Sequence, residues 1–256
     1  MRAFQARLRQ EGVRLASAVT LNGPVGPTLA QYAQEVGIDL VVMATHGRGG
    51  ARRAWLGSVA DHLIRHLEVP VFLVRASNEG AVPMAPAAAD QILVPLDGSP
   101  LAEEALGPAA DLARLWGAAL TLLRVVLPVV FFSDEMRGWP APYDTEYMAS
   151  LRSRAEDYVR DLAEGLRGEG VRASGVASFA LGAADAILEL ARPGQVAAIA
   201  IATHGHGGLK RLALGSVADK LIRGAQVPVL VLRPARSAVK KSRRTAGTGA
   251  AATGHR

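Results

Sequence analysis

Asp97 ends the apolar run Ile92-Leu93-Val94-Pro95-Leu96 and opens the sequence Asp97-Gly98-Ser99-Pro100. A carboxylate just past a buried strand can accept hydrogen bonds from a ribose hydroxyl or an adenine amine, or help to hold a divalent ion. Asp-Gly-Ser-Pro is also strong helix-capping chemistry. Far along the chain a second apolar run, 196–201, leads into Ala202-Thr203-His204-Gly205-His206-Gly207-Gly208 and then Gly215-Ser216. These glycines expose backbone N–H groups, and Gly215-Ser216 stands where the helical periodicity Val217, Leu221, Ile222 begins. Free N–H groups at a helix start, a hydroxyl and the positive end of the helix dipole make an anion site suited to phosphate. If the two strands are parallel and adjacent, carboxylate and glycine-serine corner share one rim, where open α/β sheets hold ligands.

Other residues carry weaker signals. His204 and His206 form a His-x-His pair without a second cluster, better read as loop histidines than as metal ligands. Lys210 and Arg211, like Arg52 and Arg53, are phosphate contacts or solvated charges. The stretch 127–147 gathers Phe131, Phe132, Trp139 and Tyr143 among three prolines, as a lid, an interface patch or a self-packed loop. The glycine loop lacks the Gly-Lys-Ser/Thr ending of a P-loop, and no nucleophile can be matched to a base by spacing. No catalytic and no metal-binding residues are therefore assigned.

Positioning these groups requires alternating strands and helices, and the chain supplies them twice. Residues 44–61 repeat residues 202–219 with a constant offset of 158 positions, as from Thr45 to Thr203. The same offset relates Val69-Pro70-Val71 to Val227-Pro228-Val229 and Arg75 to Arg233, which marks a tandem duplication. The first copy keeps Gly47, Gly57 and Ser58 but lacks equivalents of 90–158, about 69 residues. Its expected elements are a helix over 1–10, a strand over 13–20, a helix over 27–36, a strand over 38–43, a helix over 59–67 and a strand over 69–74. The second copy reads as a strand over 91–96, a helix over 101–116, strands over 119–126, 171–178 and 196–201, and helices over 148–167, 183–191 and from 217. This alternation specifies a mainly parallel sheet covered on both faces. Expected boundaries are a partial copy at 1–76, a linker at 77–89, a complete copy at 90–234 and a disordered basic tail at 235–256. What remains of the first copy could not form one continuous sheet unaided. Either the start is internal to a longer frame, or the fragment docks on the intact copy or another chain.

Half of the 256 residues are hydrophobic, ample for a core, and no apolar run is long enough to span a membrane. The absence of cysteine excludes disulfides and suits the cytoplasm. The net charge of +6 arises in the tail, which carries Arg236, Lys240, Lys241, Arg243, Arg244 and Arg256 and no acid. Without aromatics or a folded reader it is a poor nucleic-acid site.

Val94-Pro95-Leu96-Asp97-Gly98-Ser99, Thr203-His204-Gly205, nine further residues, Gly215-Ser216 and Val227-Pro228-Val229 together resemble the universal stress protein family in its tandem form. The resemblance implies an open, Rossmann-like α/β fold with a five-stranded parallel sheet in the order 3-2-1-4-5. It implies a homodimer, or intramolecular pairing of the two copies, through the last strand. In one branch it implies ATP, with or without Mg²⁺, held by a Gly-x-x-Gly-x9-Gly-Ser/Thr loop. By position, Pro95 and Asp97 face ribose and base, Val125 packs on adenine, and Gly205, Gly215, Ser216 and Val217 surround the phosphates. Leu96, Gly98, Ser99, Ile201, Ala202 and His204 complete the expected set. One departure stands out: Ala202, and Ala44 in the first copy, replace the loop's first glycine, where a methyl could crowd the ligand. The expected role is a cytoplasmic stress-response sensor or regulator that binds an adenine nucleotide. The alternatives are a pure interaction protein and a slow nucleotide hydrolase.

Overall fold

The computed structural model describes residues 2–14, 18–45, 56–75, 90–127, 145–203 and 214–233. The expected linker, the aromatic stretch between its flanking helix and strand, the glycine loops with His204 and Gly205, and the basic tail lie outside the described residues. In chain order the elements are α1 (Arg2–Gln10), α2 (Val25–Val36), β1 (Val41–Ala44), α3 (Ser58–His66) and β2 (Val71–Val74). They continue as β3 (Gln91–Leu96), α4 (Pro100–Glu103), α5 (Leu106–Trp116), β4 (Ala119–Val126), α6 (Thr145–Gly168) and β5 (Ala173–Phe179). The last are α7 (Ala183–Leu190), β6 (Ala198–Ala202), α8 (Ser216–Gly224) and β7 (Val229–Leu232).

All seven strands join one sheet in the order β1-β2-β7-β6-β3-β4-β5. Counted within the second copy, β3 to β7 stand in the order 3-2-1-4-5, as the resemblance implied, and each neighbouring pair is parallel. The sheet does not stop at five. Strand β2 pairs antiparallel with β7 at Val71↔Val231, Phe72↔Leu230 and Leu73↔Val229, and β1 pairs parallel with β2. The partial copy is therefore docked on the intact one through their last strands. Because that junction is antiparallel, the carboxyl ends of β1 and β2 point to the opposite rim from those of β3 to β7.

Hydrophobic alternation along the strands sends side chains to two cores. On one face Leu93, Leu123, Ile199, Ile201, Val229 and Val231 meet helices of both copies, with Leu63 and Ile64 of α3 beside Leu221 and Ile222 of α8. On the other face Ile92, Val94, Leu120, Leu122 and Ala200 pack under α4, α5 and α6, and Phe72 of β2 reaches this second core. Its ring stands edge-on to Trp116 of α5, centroids 5.7 Å apart. At α8's carboxyl end, Arg75 Nη2 of the partial copy donates to Arg223 O at 2.5 Å. A cation there satisfies a terminal carbonyl and opposes the negative end of the dipole.

Two local expectations are corrected. No strand forms among the described residues of 13–20, and Val13 and Val19 are exposed. Their counterpart, β5, exists because β4 offers it a ladder from Leu120↔Ala173 to Val126↔Phe179, and the partial copy has no equivalent of β4. The helix expected over 101–116 is broken into α4 and α5. A tightened turn, Ala105 N to Ala102 O at 3.1 Å, separates them.

Candidate functional site

The rim is built first by a proline. Backbone groups of a strand alternate between its two neighbours, and Gln91 O accepts from Ala197 N on the β6 side while Asp90 O accepts from Ala119 N on the β4 side. By that alternation Leu93 and Pro95 face β6, and Pro95 has no N–H to donate. Pairing of β3 with β4 runs on to Leu96↔Arg124, whereas pairing with β6 stops at Leu93↔Ile199 although β6 continues to Ala202. Hydrogen-bonded pairing of the two central strands therefore ends before their carboxyl ends, at the point where strand order reverses and open α/β sheets hold ligands.

One lip carries the turn 97–99. Asp97 Oδ1 accepts from Ser99 N at 2.9 Å and from Ser99 Oγ at 2.6 Å, and Gly98 takes the left-handed φ of +78° that this tight turn needs. Ser99 is the N-cap of α4: its Oγ accepts from Ala102 N at 3.1 Å, and Pro100 occupies the first helical turn. The capping chemistry thus belongs to Ser99, and Asp97 organises the turn before it.

The other lip carries the glycine-serine corner. Gly215 N donates to Thr203 O at 2.9 Å, and Thr203 N in turn donates to Leu232 O on β7. A Cβ on Gly215 would stand 2.9 Å from Thr203 O, so backbone meets backbone here and only glycine fits. This bond closes the loop between Thr203 and α8. Exposed Ser216 then begins α8, whose first-turn N–H groups face the same rim. Asp219 follows in that turn and is paired with Arg223 at 2.9 Å.

The expected residues are divided by the sheet. Ile201 belongs to the core under α7 and α8, and Val125 and Val217 pack against it. Pro95 is buried and shares the parity of Leu93, hence that same face. Leu96 and Ala202 belong instead to the core under α4, α5 and α6. Ala202 is 7% exposed and packs in that core. His204 and Gly205 lie outside the described residues.

Three groups beside the turn went unread in the sequence. Half-buried Arg124 on β4 donates from Nη1 to Leu96 O at 3.2 Å. Tyr158 of α6 donates its hydroxyl to Glu103 Oε1 of α4 at 2.9 Å. Burial, then the bond to Glu103 and its charge, raise the Tyr158 pKa well above that of an ordinary phenol. The cue available was a single arginine interrupting Leu122-Leu123-Arg124-Val125-Val126. Among the described residues no group of three or more His, Cys, Asp or Glu could hold a metal ion, and no helix is long and apolar enough to cross a membrane.

The sheet order and its parallel pairing define an open, mainly parallel α/β protein of the Rossmann-like kind. A family model described as the universal stress protein family matches residues 2–75 and 89–233, and the chain belongs to that family. Universal stress protein Rv1996 of Mycobacterium tuberculosis is 30% identical over 218 residues, covering 83% of this chain and 64% of that protein. Rv2005c of the same organism is 30% identical over 226 residues, covering 85% and 68%. The chain thus spans about two thirds of the length of these relatives. The fold is similar to that of a universal stress protein from Archaeoglobus fulgidus, with a TM-score of 0.61 at 20% identity over 91% of this chain and 76% of that one. It is also similar to a functionally unknown protein from Pseudomonas aeruginosa PAO1, with a TM-score of 0.65 at 18% identity over 96% and 80%.

Proposed function

We propose that the second copy binds one adenine nucleotide, ATP, in the crevice between β3 and β6, and that the protein acts as a nucleotide-dependent regulator of stress responses. The observation that carries this reading is the early end of the β3–β6 ladder at Leu93↔Ile199, with Asp97 on one lip and Gly215-Ser216 on the other. In this reading Asp97 takes the ribose side, the backbone of Val125 and Pro95 lines the base, and Ser216 with the α8 N–H groups takes phosphate. His204 and Gly205, which lie outside the described residues, join this set by their place in the sequence. Mg²⁺ would travel with the phosphates, since no group of three or more His, Cys, Asp or Glu among the described residues could hold a metal ion.

Thermal unfolding with and without ATP tests the proposal directly. At 100-fold excess over the dissociation constant the folded state gains ~2.7 kcal/mol, and no gain in any buffer, with Mg²⁺ or with chelator, sinks it. Calorimetry should give one site per chain, lost in Asp97→Ala and Ser216→Ala and kept in Ser58→Ala. Hydrolysis is a separate question, answered by phosphate release above a mock preparation.

A second reading is favoured by β1, whose outer edge is unpaired within the sheet and whose Val42 is 62% exposed. In it the protein works by contact alone, and ATP leaves its melting unchanged.

A further inference from the structure

We propose that Arg124 is a positioning residue for ribose recognition: it braces the turn that presents the Asp97 carboxylate to the nucleotide. The inference rests on the nucleotide reading given above and names a residue that reading does not use.

An arginine near the end of an otherwise apolar strand needs a local reason, since burying part of a guanidinium costs unless it is hydrogen-bonded. Register supplies the reason. Arg124 stands opposite Leu96, one residue before Asp97. Its Nη1 donates to Leu96 O at 3.2 Å, which ties the last carbonyl of β3 to β4. The guanidinium lies on the side of Gly98 where a side chain would project: a Cβ there would be 3.5 Å from Cζ, 3.5 Å from Nη2 and 3.7 Å from Nη1. Near-equal distances to three atoms of one plane put the face of the guanidinium under the turn, a planar support that a lysine ammonium cannot reproduce. The turn is therefore held from below by Arg124 and from within by Ser99, which donates twice to Asp97 Oδ1.

Charge acts in the same sense. Arg124 and Asp97 act with opposite sign on the Tyr158 hydroxyl, so the two form one electrostatic neighbourhood at the end of β3. An ionised carboxylate is an acceptor, and an acceptor is what ribose hydroxyls require. Hydrogen bonds to an ionised group are the ones most sensitive to placement. Loss of the brace should accordingly weaken recognition of the sugar while leaving base and phosphate contacts in place.

The test compares ATP with 2′,3′-dideoxy-ATP, which lacks both hydroxyls, on the full chain carrying Arg124→Met or Arg124→Lys. Wild type should bind the dideoxy nucleotide at least ~10-fold more weakly than ATP, the loss expected for hydrogen bonds to a charged group. Arg124→Met should weaken ATP by a similar factor and leave dideoxy-ATP within about 2-fold of wild type, erasing the discrimination. Arg124→Lys keeps the charge without the plane and should recover part of it; if the Met variant fails to fold, the Lys variant carries the comparison. Equal weakening of both nucleotides, or undiminished discrimination in the variants, overturns the inference while leaving the nucleotide reading intact. A wild-type chain that binds ATP without discriminating the two ligands also overturns it, because ribose is then unread. Binding of neither ligand by wild type sinks the nucleotide reading and this inference together.

Discussion

Strands β6 and β1 are copies of one another, yet every residue of Ala198–Ala202 is buried while Val41–Ala44 alternates between half-buried and exposed. The difference lies in their neighbours. β6 has β3 on one side and β7 on the other, with helices over both faces; among the described residues β1 has only β2 beside it. Val41 and Met43 reach the core shared with α2 and α3, whereas Val42 faces the side that α4, α5 and α6 cover in the second copy. Burial is thus a property of what surrounds a strand, and duplicated sequence does not duplicate it. The corners repeat the lesson. Gly57 N donates to Thr45 O at 3.3 Å, like Gly215 N to Thr203 O at 2.9 Å, but no carboxylate-bearing strand stands beside the first.

The largest effect expected from this contrast is a shared one. Leu221 and its counterpart Leu63 are both buried in a single core. Leu→Ala at either position should cost ~3 kcal/mol and shift one cooperative urea transition as a whole. A biphasic curve for Leu63→Ala would show that the copies unfold separately. Next come the corners. A methyl on Gly215 meets Thr203 O at 2.9 Å, against 3.2 Å between Gly57 and Thr45 O. Gly215→Ala should cost ~2 kcal/mol and Gly57→Ala about 1, read from denaturation midpoints. Reversal of that order would mean that the first corner is the more rigid.

A pH effect on the whole transition should originate in the second copy, because Tyr158 sits in α6, most of which has no counterpart in the first. Its folded pKa is raised, so above the ordinary phenol value of about 10 the unfolded chain sheds the proton first. Stability present below that pH is then lost as pH rises toward the folded value. Tyr158→Phe should flatten the alkaline decline in melting temperature; an unchanged slope would assign the decline elsewhere. The smallest effects belong to the paired ions. Asp219–Arg223 and Asp61–Arg65 have side chains about a third exposed. Asp→Asn at either should cost at most ~1 kcal/mol and less in high salt.

Much of this architecture is legible in the residues. Unbroken apolar runs at 92–96 and 196–201 specify buried parallel strands, and the constant offset between the copies identifies the duplication. The strand order within the second copy came from the resemblance. The seventh and sixth members of the sheet were less legible, because joining β2 to β7 depends on two distant edges meeting. The alternation at 13–20 misleads for the same reason: a strand needs a partner, and none of the described strands stands beside it. At the site, Asp97 and Gly215 are visible as types, but Arg124 is not. Its meaning depends on standing opposite Leu96 and under Gly98, a relation that register alone creates.

The antiparallel join of β2 to β7 has one more consequence. Two separate subunits meeting edge to edge obey mass action, and dilution parts them. Here both edges belong to one polypeptide, so their encounter is intramolecular and indifferent to protein concentration. The second copy's last strand thus carries a permanent neighbour on the edge that would otherwise face solvent.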